Sequence, residues 1–101
     1  MRMIIKISSL GSEDIIAFDE EKKACVVNGE RKDINVEVCM QEILNVLCSA
    51  EEVMVDESIT DGITYTFTIE KNGKIREYYF KNAFPRGFYK ISDIIGGLLS
   101  C

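Results

Sequence analysis

Residues 62–81, GITYTFTIEKNGKIREYYFK, decide the fold. Ile63, Tyr65, Phe67 and Ile69 alternate with Thr64, Thr66, Thr68 and Glu70, the two-residue period of a strand with one buried face. Asn72-Gly73 comes next, the pair that best tolerates positive φ in a two-residue turn. Such a turn sets the return register, placing Ile69 opposite Arg76, Phe67 opposite Tyr78 and Tyr65 opposite Phe80. The predicted hairpin has an aromatic face of Tyr65, Phe67, Tyr78 and Phe80. Its polar face carries Thr64, Thr66, Thr68, Glu77, Tyr79 and Lys81. An isolated hairpin is marginal in water, so the aromatic face needs a cover from elsewhere in the chain.

Upstream of the hairpin, Met3, Ile5 and Ile7 alternate with Arg2, Lys6 and Ser8 and predict a first strand. Ser8 to Ser12 reads as a loop, and Asp14 to Asp19, with Ile16 and Phe18 in phase, as a second strand. The charged run Asp19-Glu20-Glu21-Lys22 leads into a third, Ala24 to Val27. A second Asn-Gly pair, Asn28-Gly29, turns the chain back over Glu30 to Ile34. The period changes at Asn35. Val36, Cys39 or Met40, Ile43, Leu44 and Leu47 recur at helical spacing, with Glu37, Gln41, Glu42 and Asn45 on the other side. This predicts one amphipathic helix to about Ser49, capped by Asp33 or Asn35. Ala50 to Asp61 reads two ways, as a short strand through Val53 and Val55 or as an acidic loop. Beyond the hairpin, Pro85 suits a helix N-terminus. Phe88, Ile91, Ile95 and Leu98, with Ile94 beside them, form a second helical stripe that Gly96-Gly97 is expected to close. The order meander, helix, hairpin, helix predicts a single α+β domain over residues 1–101, with both helices on one face of an antiparallel sheet.

Composition narrows the function classes. Apolar residues make up 47% of 101, and mean hydropathy is +0.02, as in a folded globular chain. No apolar run approaches the roughly 18–20 residues that span a bilayer. Lys6 interrupts the isoleucines near the N-terminus, so that segment reads as a strand rather than a signal peptide, and the expected location is the cytoplasm. Net charge is −5, unevenly spread: residues 1–61 carry 14 acids and 6 bases, residues 62–101 carry 3 acids and 6 bases. An acidic chain is a poor nucleic-acid binder, because phosphate neutralisation supplies most of that affinity. Polarised charge instead suits docking to a protein, and it makes Glu51, Glu52 and Glu57, in the densest acidic stretch, candidate contact residues. Lys74, Arg76, Lys81, Arg86 and Lys90 are the material of a small basic patch.

Signals of chemistry are few. The chain has no histidine, and with it goes the commonest general base and the Ser-His and Cys-His nucleophile pairs. Asp56, Glu57 and Asp61 lie close in sequence but lack the alternating ligands of a calcium loop. Cys25, Cys39, Cys48 and Cys101 include no CxxC pair, and their spacings match no zinc framework. The first three are expected to be small core hydrophobes of a reduced protein, with Cys101 exposed. Neither a metal nor another cofactor is expected, nor is the chain expected to be an enzyme. Binding features are more concrete. Tyr79 is the one aromatic on the hairpin's polar face, and Ser9 and Leu10 sit in the first loop.

Asp61 to Glu70, the Asn72-Gly73 turn, and a closing helix that starts near a proline and ends in a leucine pair resemble emfourin-type proteins, small inhibitors of thermolysin-like metalloproteases. The resemblance covers roughly residues 61–99 and, more loosely, the first strand with its small-residue loop. It implies a hairpin-plus-helix fold and an inhibitory role, and assigns that role to no residue. The expected function is a small non-catalytic protein-binding module, an inhibitor or immunity-type protein that masks a partner. The alternative is a structural domain that forms a homodimer through an exposed sheet edge or the threonine face.

Overall fold

Asn72 and Gly73 adopt φ of 54° and 76°, so the tight turn forms as its sequence demands. β6 (Thr64–Lys71) and β7 (Lys74–Lys81) pair in the expected register, with Phe67 opposite Tyr78, Tyr65 opposite Phe80 and Thr66 opposite Tyr79. The computed structural model describes residues 1–48, 53–55, 63–81, 83–85 and 87–100. β6 also pairs with β1 (Arg2–Ser9), which continues antiparallel into β2 (Ser12–Asp19), β3 (Ala24–Val27) and β4 (Glu30–Lys32). The result is a six-stranded antiparallel sheet of order β4-β3-β2-β1-β6-β7.

Register aligns one residue per strand into rows across the sheet. Val27, Ile16, Ile5, Phe67 and Tyr78 share one row on the inner face; Cys25, Phe18, Met3 and Ile69 share the next. α1 (Val36–Cys48) and α2 (Phe88–Leu99) cover this face. α1 contributes Val36, Met40, Ile43, Val46 and Leu47, and α2 contributes Phe88, Ile91, Ile95 and Leu98, to one continuous apolar cluster. Phe88 is the residue that closes the hairpin's aromatic face. Its ring centroid lies 5.1 Å from Tyr65, 5.9 Å from Phe80 and 6.4 Å from Phe67. Burying each large side chain there is worth about 1.5–3 kcal/mol. Among the described residues no polar or charged side chain is buried, and no helix is long and apolar enough to cross a membrane.

The α+β order stands as read, and several local expectations are corrected. The expected loop Ser8 to Ser12 shrinks to the turn residues Leu10 and Gly11, because Ser9 and Ser12 already pair. Gly11, at φ 78°, supplies the positive φ that this turn requires. Asn35 caps α1, its Oδ1 accepting the Val38 N–H at 3.2 Å. β5 (Val53–Val55) is a strand, but it joins β8 (Ala83–Pro85) in a separate two-stranded sheet. Pro85 therefore ends a strand instead of starting a helix. A strand terminus tolerates the missing N–H as well as a first helical turn does. Gly87 makes the entry to α2, at φ 84° and ψ 5°, without a side-chain cap. α2 runs through Gly96-Gly97 to Leu99, because Ile95 and Leu98 anchor the last turn in the core and outweigh the glycine cost. Ile63, in phase with Phe67, is nonetheless exposed, since it lies one residue before β6 begins.

The cysteines divide. Cys25 is buried and Cys39 half-buried, but Cys48 is exposed, against the expectation that all three fill the core. Nine residues along a helix amount to half a turn in angle, so Cys39 and Cys48 cannot share the buried stripe. Cys101 lies outside the described residues.

Candidate protein-binding surface

Among the described residues, helices layer only one side of the sheet and no element covers the other. On that outer face Ile4 pairs with Ala17 and Thr68, Ala17 with Val26, and Thr68 with Glu77. In the adjacent row Ile15, Lys6, Thr66 and Tyr79 lie side by side. A half-solvated antiparallel sheet normally alternates apolar inward and polar outward. Here the outward set includes Ile4 at 43% exposure, Ile75 at 66% and Tyr79 at 64%. The threonines of β6 fit the polar rule; the isoleucines of β1, β2 and β7 break it.

Leu10 stands at the tip of the β1–β2 hairpin and is 95% exposed. Its turn is braced from below by the Ser9 and Ser12 hydroxyls, 2.7 Å apart. Ser8 pairs with Thr64, and Thr64 with Lys81, so this tip lies at the same end of the sheet as the C-terminal end of β7. The structure thus puts Ser9, Leu10 and Tyr79 on accessible ground, as their sequence positions led one to expect. Glu51, Glu52 and Glu57 lie outside the described residues.

β7 is an edge strand. A two-residue turn makes Lys71 and Lys74 a hydrogen-bonded pair, and bonded pairs recur every second residue along an antiparallel ladder. The backbone groups of Arg76, Tyr78 and Phe80 therefore point to β6. Those of Ile75, Glu77 and Tyr79 point off the sheet, where no other described strand of this sheet pairs.

Beside this edge, on the helix-bearing side, runs a groove of about 520 Å³ between the end of α1 and the β6–β7 turn. Met1, Leu44, Ile69 and Tyr78 give it an apolar lining. Lys71, Lys74 and Arg76 line it as well, with Gln41, Asn45 and the exposed Cys48 on the helix side. Gln41 Nε2 donates to Asn45 Oδ1 at 3.0 Å, which ties two of these amides together. Ion pairs among the described residues join Arg2 to Asp19 and Lys32 to Glu30; Lys71, Lys74 and Arg76 have no carboxylate partner there. The sequence reading missed this groove and the outward isoleucines. Its only advance signal was the excess of bases between residues 71 and 81.

Three groups are shifted from their ordinary ionisation. Burial pushes the Cys25 thiol up, the nearby Cys39 adds to the rise, and Lys32 opposes it. Burial raises Cys39, with Glu42 adding to it, and burial alone raises Tyr65. All three shifts hold the group protonated, which does not make a nucleophile. Among the described residues no three histidine, cysteine, aspartate or glutamate side chains are grouped to hold a metal ion. Comparison with protein-family models, with curated proteins and with solved structures finds no match in any of the three.

Proposed function

We propose that the chain is a small non-catalytic protein-binding module that covers a site on another protein, as an inhibitor or immunity-type protein does. The observation that carries this reading is the open sheet face, where Ile4, Ile15, Ile75 and Tyr79 point outward from a rigid, helix-backed sheet. Ile4 and Ile15 are diagonal neighbours on this face, while Ile75 and Tyr79 flank Glu77 on β7 across the β6 threonines, and exposed apolar side chains gathered on one polar-rimmed face mark interaction surfaces. Tyr79 adds a residue type enriched among interface anchors, and Leu10 projects from the same end of the sheet. The resemblance of residues 61–99 to emfourin-type inhibitors supports masking of a protease or another enzyme as the form this binding takes. The free thiols of Cys25, Cys39 and Cys48 suit a reducing compartment, and we place the protein in the cytoplasm.

Affinity capture from the source cells tests the reading, with wild type run beside Tyr79→Ala and Leu10→Ser. The expected result is one protein retained in stoichiometric complex by wild type and lost with the variants, seen by light scattering after gel filtration. A chain that stays alone, or an identical complex with every variant, overturns it. A second reading, the homodimer, is favoured by one observation, the open β7 edge. Concentration-dependent doubling of mass without any other protein would select it.

A further inference from the structure

We propose that the β7 edge and its basic groove take up an extended acidic segment of a partner protein, which adds to the sheet as a seventh strand. This deepens the protein-binding reading and rests on it, by naming the chemistry of the partner. Three features converge on one strip of surface. The outward backbone groups of Ile75, Glu77 and Tyr79 offer the ladder that an added strand completes, a recurring mode of peptide capture. Alternate residues of that strand would face opposite sides of the sheet. On the helix side they meet Lys74, Arg76 and the groove that Lys71 also lines, three cations without a carboxylate partner among the described residues. On the open side they meet Ile75 and Tyr79, both about two-thirds exposed. The segment that fits therefore alternates acidic and apolar residues, acids toward the groove and apolar side chains toward Ile75 and Tyr79.

Charge decides against a second copy as the occupant. β7 carries Lys74, Arg76 and Lys81 against the single acid Glu77. Pairing β7 with itself would bring six bases and two acids to one seam, and like charges set opposite each other in a sheet repel. Basic residues on an edge strand are a known guard against unwanted pairing. The same charges leave the edge open to a strand of opposite sign.

The probe is a capped eight-residue peptide of alternating glutamate and valine, beside its lysine–valine counterpart and a form N-methylated at every second residue. Binding to the full chain is read by calorimetry, and amide hydrogen exchange reports on β7. The acidic peptide should bind at least about tenfold tighter than the lysine form, the sum of a few exposed ion pairs. The preference should vanish in the Lys71→Gln, Lys74→Gln, Arg76→Gln triple variant, and the Ile75, Glu77 and Tyr79 amides should gain protection on binding. N-methylation on the ladder side should cost about tenfold, since it removes backbone donors without touching the protein. Equal affinity for the acidic and basic peptides overturns the inference, as does indifference to N-methylation. Protection of those amides that rises with protein concentration alone would assign the edge to a second copy. If a cellular partner is captured and binds the triple variant unchanged, the protein-binding reading stands and the acidic-strand inference fails. If the peptide binds as described but no cellular partner is retained, the edge's preference for an acidic strand stands, and the partner-protein reading on which its role rests is overturned.

Discussion

Both edges of the six-stranded sheet are return arms of Asn-Gly hairpins, yet one is short and braced while the other is long and open. Asn28-Gly29 and Asn72-Gly73 adopt nearly the same backbone, φ of 51° and 84° against 54° and 76°. After the first turn, β4 lasts three residues, Glu30–Lys32, before the chain leaves for α1. Asn28 itself ties that corner down: its Oδ1 accepts the Ile15 N–H at 2.8 Å, and its Nδ2 donates to Asp14 Oδ1 at 2.9 Å. After the second turn, β7 continues for eight residues, held by Tyr78 and Phe80 against the core side and by nothing described on its outer edge. Turn chemistry sets register. The apolar residues that follow decide how far the strand goes, and so whether an edge is left to be used.

The largest expected contrast between the hairpins lies in their inward side chains. Phe67→Ala should destabilise by roughly 3–5 kcal/mol, as removal of a fully buried aromatic does, whereas Val27→Ala in the short hairpin should cost about 2 kcal/mol. Thr66→Ala, on the outer face, should change little. Denaturant melts decide this, and equal losses at Phe67 and Val27 would break the claim that the long hairpin carries more of the core. The turns themselves come next. Asn28→Gly should cost about 1–2 kcal/mol through its two lost side-chain hydrogen bonds, while Asn72→Gly should cost only a few tenths. Comparable losses in thermal melts would show that the brace at Asn28 contributes nothing.

Alkaline pH separates the hairpins more gently. Cys25 in the first and Tyr65 in the second are raised in the folded state, so the unfolded chain loses those protons first. Their contribution is complete below the ordinary values, 9.0 for the thiol and 10.0 for the phenol, and is lost as pH climbs through the raised ones. Urea midpoints should therefore start to fall near pH 9, with Cys25→Ala flattening the lower part of the decline and Tyr65→Phe the upper. The smallest effect is on labelling rather than stability. Cys48, by the long hairpin's groove, should alkylate promptly, Cys39 more slowly and Cys25 only on unfolding, as mass spectrometry of the labelled peptides would show.

Local devices were the legible part of the sequence. Alternation about Phe67 and the Asn72-Gly73 pair are enough for a register correct at every named pair, and Asn35 is one of the two caps that the sequence offers α1. What stayed hidden depends on how elements meet. The groove exists because the end of α1 lies over Ile69 and Tyr78, and nothing within residues 36–48 announces where that helix ends on the sheet. Pro85 reads from sequence as a helix start and proves to be a strand end, because a missing N–H is harmless in both places. Ile4 and Ile15 are masked in the sequence because each sits beside a residue of the buried phase, and Ile75 because it stands between Lys74 and Arg76 in a charged stretch. Only the pairing shows them facing out together.

The sheet order has a kinetic consequence. Within the six-stranded sheet, every neighbouring pair but one is a hairpin that can zip on a timescale of about 1–10 μs without help from the rest of the chain. The exception is β1 against β6, where Ile5 meets Phe67 from roughly sixty residues away. That ladder joins the N-terminal meander to the long hairpin and closes the longest loop within the six-stranded sheet. The meeting of β1 and β6 is therefore the expected slow step in forming this sheet, which φ-values measured along the two strands would test. Until that encounter the β6 edge of the long hairpin is unpaired as well as the β7 edge, and of the two it is β7 that carries Lys74, Arg76 and Lys81, the kind of charge that guards an edge strand.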